Sequence, residues 1–235
     1  LPKRTRRAVD VNKDKLAHDR DTLDQQTLNR AYARWAPIYD VVFGAVFDRG
    51  RKMSIEAAEK VGGRILDVGI GTGISLLDFS PRNQIVGVDI SEPMLRRARQ
   101  RVDEAGLKNV AGLAVMDAER LGFADAYFDV IVAQYVITAV PNPDAVLTEF
   151  ARVTKPGGEI ILVNHIGAER GPRRLFELCF APIARGLGWR PEFPFARIVR
   201  WCERAPGIHL IERRPMPPLG HFSLIRLGKR SVDPR

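Results

Sequence analysis

Residues 65–73 read Ile-Leu-Asp-Val-Gly-Ile-Gly-Thr-Gly, an apolar run that closes on three glycines at alternate positions. A short run of β-branched and apolar residues is a buried strand. Glycines directly behind it form a turn where backbone N–H groups can approach a ligand and φ can be positive. A second apolar run, Ile85-Val86-Gly87-Val88, ends on Asp89, twenty-two residues after Asp67. That spacing makes the two runs neighbouring parallel strands. An acid ending the second is placed to accept hydrogen bonds from ribose hydroxyls. A glycine turn alone is explained by a tight strand-to-helix connection; turn and acid together point to a nucleoside-binding α/β sheet.

Two ligand types compete for such a turn. A dinucleotide site, G-x-G-x-x-G, needs a third glycine beside the helix that receives the pyrophosphate. That position is Ile74 here. The pattern is instead D-x-G-x-G-x-G, which resembles the nucleotide-binding motif of class I S-adenosylmethionine-dependent methyltransferases. The resemblance implies a cofactor without a pyrophosphate, its zwitterionic methionine end lying over the glycine turn.

At 235 residues the chain has room for one substantial α/β domain with appendages. No apolar run reaches the roughly eighteen residues that a membrane-spanning helix needs. The basic start, Leu1 to Arg7, has no apolar signal-peptide core behind it. Cys179 and Cys202 support neither a disulfide framework nor a zinc site, so no metal is expected and a cytoplasmic location is the default. The net charge of +9 is unevenly divided: +4 over residues 1–60, −3 over 61–164 and +8 over 165–235. The excess positive charge therefore lies in the flanks of the cofactor-binding core. A nucleic-acid footprint, an anionic membrane surface or a solvated basic face each accounts for it.

Along the chain, residues 1–27 form a basic and polar segment with the makings of a partner-stabilised, membrane-binding helix. The methyltransferase-like domain occupies 28–235. Leu28, Tyr32, Trp35, Tyr39, Val42 and Val46 recur at helical spacing, with Pro37 bending the helix. A helix from Arg51 to Val61 leads into the glycine motif. Strands are expected near 64–68, 85–89, 110–115, 129–135 and 159–164, and helices near 73–79, 93–105, 142–153 and Phe195 to Glu203. This alternation requires a parallel sheet with right-handed crossovers. Gly207–Arg214 and Leu219–Leu227 read as a closing hairpin. The result resembles the Rossmann-like, seven-stranded, mostly parallel methyltransferase sheet, with a C-terminal antiparallel hairpin and N-terminal helices capping the site. A region near 167–194 reads as a basic amphipathic insertion. Phe176, Phe180, Ile183 and Leu187 share one helical face, and Arg173, Arg174 and Arg185 flank it. It suits either a membrane interface or a cap over the site.

Ligands of open α/β sheets bind beyond the carboxyl ends of the strands. The family resemblance distributes the cofactor over Asp67, Gly69, Gly71, Gly73, Asp89, Ile90, Asp117, Ala118 and Gln134. It implies that Asp67 orders the site around the methionine amino group and that Asp89 holds the ribose. Asp117 takes the exocyclic amine of adenine, and the next backbone N–H reaches a ring nitrogen. As a residue, Asp117 is also a plain turn or N-cap aspartate. The Asn/Asp-Pro-Pro-aromatic motif of many amino-methyltransferases is absent after the fourth strand, since Asn142-Pro143 falls too late. Base methylation of that kind loses weight accordingly. His165, ending the fifth strand, suits proton handling or substrate orientation, and equally packing or capping.

The narrowest resemblance lies upstream. Tyr32-Ala33-Arg34-Trp35-Ala36-Pro37-Ile38-Tyr39-Asp40-Val41-Val42-Phe43-Gly44 is similar to the segment opening bacterial phosphatidylethanolamine N-methyltransferases. Quinone-biosynthesis C-methyltransferases share only its Tyr39-Asp40 end. One departure is that Asp67 and Asp89 stand where that family often has Glu; both lengths accept the same hydrogen bonds. The resemblance implies S-adenosylmethionine-dependent N-methylation of phosphatidylethanolamine and its mono- and dimethyl derivatives. The site would lie at the inner face of the cytoplasmic membrane.

An alkyl amine with a pKa near ~10 must be desolvated or deprotonated before it can attack. Tyr39, Tyr32, Tyr135 and His165 are the candidates to line that site. Aromatic faces also hold methylated ammonium groups by roughly 0.5–2 kcal/mol each. Packing over the sheet is the other reading for Tyr32 and Trp35. A phospholipid substrate on an anionic surface explains the basic flanks, with no nucleic acid and no obligate protein partner required. C-methylation of a membrane quinone precursor and a non-catalytic cofactor-binding adaptor are the competing functions.

Overall fold

The computed structural model describes residues 48–166, 193–216 and 222–231. The N-terminal segment, the 167–194 region up to residue 192, Tyr32 and Tyr39 therefore lie outside the described residues. The first described helix, α1, covers 48–61. Gly62 and Gly63 turn the chain into β1 (Arg64–Val68). Then come β2 (Gln84–Asp89), α2 (Glu92–Ala105), β3 (Val110–Val115) and β4 (Phe128–Gln134). These are followed by α3 (Pro143–Val153), β5 (Thr154–His165), α4 (Phe195–Arg204), β6 (Ile208–Met216) and β7 (Phe222–Lys229).

Among the described residues the seven strands form one sheet in the order β3-β2-β1-β4-β5-β7-β6. The first five are parallel; β7 runs antiparallel between β5 and β6. The chain reverses its direction of travel across the sheet between β1 and β4. At such a switch the crossovers diverge to opposite faces and leave a crevice above the strand ends. One face buries Ile65, Val130, Val132 and Ile161 beneath α1 and α2. The other buries Leu66, Ile131, Leu162 and Ile225 beneath α3 and α4. Central strands covered on both sides read as unbroken apolar runs for this reason.

Helix ends follow local chemistry. Pro93 stands in the first turn of α2, and Gly106 closes it in the left-handed region at φ 61°. Asn142 caps α3 by accepting from Ala145 N–H, with Pro143 next.

Two elements differ from expectation. The helix expected over 73–79 is a single 3-10 turn, Ile74–Leu77. Pro81 disfavours helix at the residue before it, and the chain must reach β2 by residue 84. The fifth strand, expected near 159–164, instead starts at Thr154 and takes Lys155-Pro156-Gly157-Gly158 into its irregular first part. The pairing there jumps from Phe128↔Thr154 to Val130↔Glu159.

Candidate active site

Asp67 is fully buried in β1, on the α1/α2 face. Its Oδ2 accepts a 2.6 Å hydrogen bond from Ser75 Oγ on the 3-10 turn. Burial pushes its carboxyl up to about 7, against the Ser75 bond, and the nearby negative Asp89 adds to the rise. A buried acid of this kind becomes a strong partner once a cation approaches.

The glycine turn is lashed to the end of β2. Gly69 N–H donates to Val88 O at 2.8 Å, and Gly71 N–H donates to Asp89 Oδ2 at 2.8 Å. Gly69 adopts φ 70°, and a Cβ there would collide with Val136 just past β4. Gly71, at φ 55°, has no described residue within 4 Å of where its Cβ would be. The first glycine lets two parts of the protein meet; the second leaves the turn open among the described residues. Gly73 also has positive φ and meets Ala98 of α2.

Asp89 accepts from Ser91 N–H through Oδ1 at 2.8 Å as well as from Gly71. Burial raises its carboxyl despite these two donors and the Ile90 N–H. Each oxygen retains a lone pair for a ribose hydroxyl. Ile90 beside it is 45 % exposed, an apolar surface of the kind a purine covers. Beside it, past the end of β3, Asp117 is exposed, and its Oδ1 accepts from Glu119 N–H at 2.8 Å. This is the turn-aspartate geometry, yet it leaves Oδ2 for a ligand. Ala118 is half-buried next to it.

At the end of β4, Gln134 turns toward α1 and donates to Ser54 Oγ at 3.0 Å. Tyr135 follows at φ 64°, in the left-handed region that costs a non-glycine residue about 1–3 kcal/mol. Its N–H donates to Val163 O, which holds it there. Its hydroxyl lies so close to Gly50 of α1 that a Cβ would clash with it. The Tyr135 ring meets Phe222 edge-on with centroids 5.7 Å apart, and His165 meets the same Phe222 ring at 5.7 Å. Tyr135, Phe222 and His165 thus make an aromatic wall at the rim. Asn164, beside His165, is fully buried, and neither end of its carboxamide has a hydrogen-bond partner among the described residues.

Arg51 fixes the neighbouring end of α1. Its guanidinium pairs with Asp48 and reaches Asp78 Oδ2 at 2.8 Å, just after the 3-10 turn. Ser54, Ser75, Glu119 and Phe222 were not singled out by sequence. Only Glu119 carried a signal, as the second acid of Met116-Asp117-Ala118-Glu119.

The donor and acceptor set fits a nucleoside joined to a cationic amino-acid end. There is a buried acid under the turn, an acid at ribose position, an apolar purine surface, and a turn left open at Gly71 among the described residues.

Comparison with known proteins decides between the cofactor classes. Residues 66–162 match the methyltransferase domain family. The chain is 39 % identical over 208 residues to the phosphatidylethanolamine N-methyltransferase of Cereibacter sphaeroides, covering 88 % of this chain and all of that protein. The chain belongs to the S-adenosylmethionine-dependent methyltransferases. Within that family, it also matches the ubiquinone/menaquinone biosynthesis C-methyltransferase UbiE of Pseudomonas putida, at 31 % identity over 56 % of this chain and 54 % of that one. The fold matches the YcgJ protein of Bacillus subtilis at a TM-score of 0.65 and 22 % identity, over 79 % of this chain and all of that one. This methyltransferase therefore takes S-adenosylmethionine as its cofactor. No described helix is long and apolar enough to cross a membrane.

Proposed function

We propose that this methyltransferase N-methylates phosphatidylethanolamine and its mono- and dimethyl derivatives toward phosphatidylcholine, working at an anionic membrane surface. The observation that carries the reading is the end-to-end relation to the Cereibacter sphaeroides enzyme, which bears that activity in its name. The Tyr32–Asp40 segment and the +8 charge of residues 165–235 agree with it. The partial match to UbiE favours the second reading, C-methylation of a quinone precursor.

The cofactor supplies an electrophilic methyl group on a sulfonium. The protein's own residues do the rest. Asp67 balances the cofactor's ammonium, Asp89 and Asp117 hold its nucleoside, and the Gly69–Gly73 turn lets the backbone approach. The acceptor nitrogen must carry a lone pair, so its ammonium releases a proton to solvent water before the nitrogen attacks the methyl carbon and the neutral thioether departs. The aromatic wall of Tyr135, Phe222 and His165 offers little hydration to a cation, which favours the neutral amine. The same wall holds a methylated product by its ring faces. Tyr39 is the residue assigned to orient the amine from the N-terminal side.

The test is transfer of radiolabelled methyl groups to vesicles containing phosphatidylethanolamine, and in parallel to a quinol. Label in mono-, di- and trimethylated lipid is the expected result. Label in the quinol alone replaces this reading with C-methylation, and label in neither leaves a cofactor-binding adaptor.

A further inference from the structure

No helix occurs among the described residues between β3 and β4. Residues 116–127 instead descend beside α3 as an irregular strap whose upper end carries Asp117. Two bonds made by one residue fix that end. Glu119 N–H donates to Asp117 Oδ1 at 2.8 Å, and Glu119 Oε1 accepts from Asn142 N–H at 2.9 Å. Asn142 is the N-cap of α3, so the second bond seats a carboxylate on a helix N-terminus, where the helix dipole favours negative charge. Lower down, Leu121 N–H donates to Glu149 Oε2, and Arg152 donates to the carbonyls of Leu121 and Phe123. On the other side, Met116 N–H donates to Asp89 O at 3.0 Å. Asp117 is therefore tied at both flanks, to the ribose acid by Met116 and to α3 by Glu119.

We infer that Glu119 is the positioning residue that sets purine selectivity: it holds Asp117 Oδ1 so that Oδ2 is the acceptor offered to the exocyclic amine. This rests on the reading of Asp117 as the adenine acid. Without the Asn142 anchor, the Asp117-to-Glu119 turn keeps its own backbone N–H bond but loses its tie to α3, so the turn and the Oδ2 it presents shift together away from the purine edge. An amine at the purine edge then gains little over an oxo group. Glu119 itself need not touch the cofactor.

The experiment compares calorimetric affinity for S-adenosylhomocysteine with that for S-inosylhomocysteine. The inosine base replaces the amine donor by an oxo acceptor and turns the adjacent ring nitrogen into a donor. The intact protein is expected to prefer the adenosyl ligand by roughly ten- to hundredfold, as one charge-assisted bond implies. Glu119→Ala should reduce that ratio to within about threefold of unity, chiefly by weakening the adenosyl ligand. Glu119→Gln, which keeps the Oε1 acceptor, should restore most of it. Glu119→Leu repeats the loss with the side chain's apolar bulk retained, should the alanine variant fold poorly. If Glu119→Ala and Glu119→Leu keep the starting ratio, or weaken both ligands by one factor, Glu119 is only a structural tie and the inference falls. Asp117→Ala separates the two levels. A ratio lost there but kept in the Glu119 variants overturns the inference alone, whereas a ratio kept in Asp117→Ala overturns the assignment of Asp117 itself.

Discussion

The two ends of the sheet carry similar residues in opposite electrostatic states. At the amino ends of the strands, Gly62, Gly63 and Gly157 have positive φ, just as Gly69, Gly71 and Gly73 do at the carboxyl ends. Each end also holds buried or half-buried aspartates. At the amino end, a notch of about 250 Å³ is lined by Gly62, Gly63, Asp129 and Pro156. Asp129 there is already compensated. Its Oδ1 pairs with Lys155 at 2.7 Å, and its Oδ2 accepts from Arg64 N–H at 2.8 Å. Burial alone would raise its carboxyl, yet Lys155 and that N–H hold it below the usual range. Asp67 and Asp89 at the other end are raised, with no basic side chain among the described residues bonded to either. Glycines and acids mark both ends; only uncompensated acids mark a place built for a cation from outside.

The largest expected effect sharpens that contrast directly. Asp89→Ala should weaken calorimetric binding of S-adenosylhomocysteine by roughly 10²- to 10³-fold, since two charge-assisted bonds to ribose are lost. Asp129→Ala should lower the melting temperature and leave that affinity unchanged. Equal losses in both variants would erase the distinction between the two ends.

Asp67 supplies the next effect. An acid whose folded pKa is raised binds protons that the unfolded chain has released. Stability therefore falls as pH rises from the unfolded value near ~3.9 to about 7, then levels off. Asp67→Asn should lack that slope. Its unfolding free energy should match that of the parent protein near pH 4 and exceed it at pH 8 by about 4 kcal/mol, the size of a shift of roughly three units. A parent protein that gains stability across this window would show that the charge of Asp67 is compensated after all.

The smallest effect concerns Asn164. A buried carboxamide with both ends unpartnered is worse than an apolar side chain of the same shape. Asn164→Leu should therefore gain about 1 kcal/mol in denaturant unfolding. A loss of that size would mean that the amide is satisfied in solution.

The strands were legible because Ile85–Val88 and Val130–Ala133 carry no charged or polar side chain and Ile65–Val68 carries only Asp67, a pattern that needs no knowledge of the partners. The closing hairpin was legible in kind. Its expected strands, Gly207–Arg214 and Leu219–Leu227, appear as Ile208–Met216 and Phe222–Lys229. Pro215 sits in edge strand β6, where its missing N–H costs little. The helix at 73–79 misled because its apolar spacing said nothing of how few residues remained before β2. In the site, Asp67, Asp89 and the glycines were visible from local order. Ser75, Phe222 and the tie between Glu119 and Asn142 were not, since each depends on segments brought together only by the folded chain. Tyr32, Tyr39 and the 173–187 face lie outside the described residues, so the N-terminal half of the proposed substrate site rests on resemblance.

Arg152 shows what a crossover without its own helix entails during synthesis. Its guanidinium bonds Glu149, Asp125 and the carbonyls of Leu121 and Phe123, so the strap bearing Asp117 is fastened by a residue made about thirty positions later. On a growing chain, the Asp89 carboxylate has its donors Gly71 and Ser91 by residue 91, whereas the purine side has none of its lower ties until α3 has emerged and docked. The nucleoside pocket is thus assembled in two instalments, and its second half is a product of tertiary closure rather than of the motif that announces it.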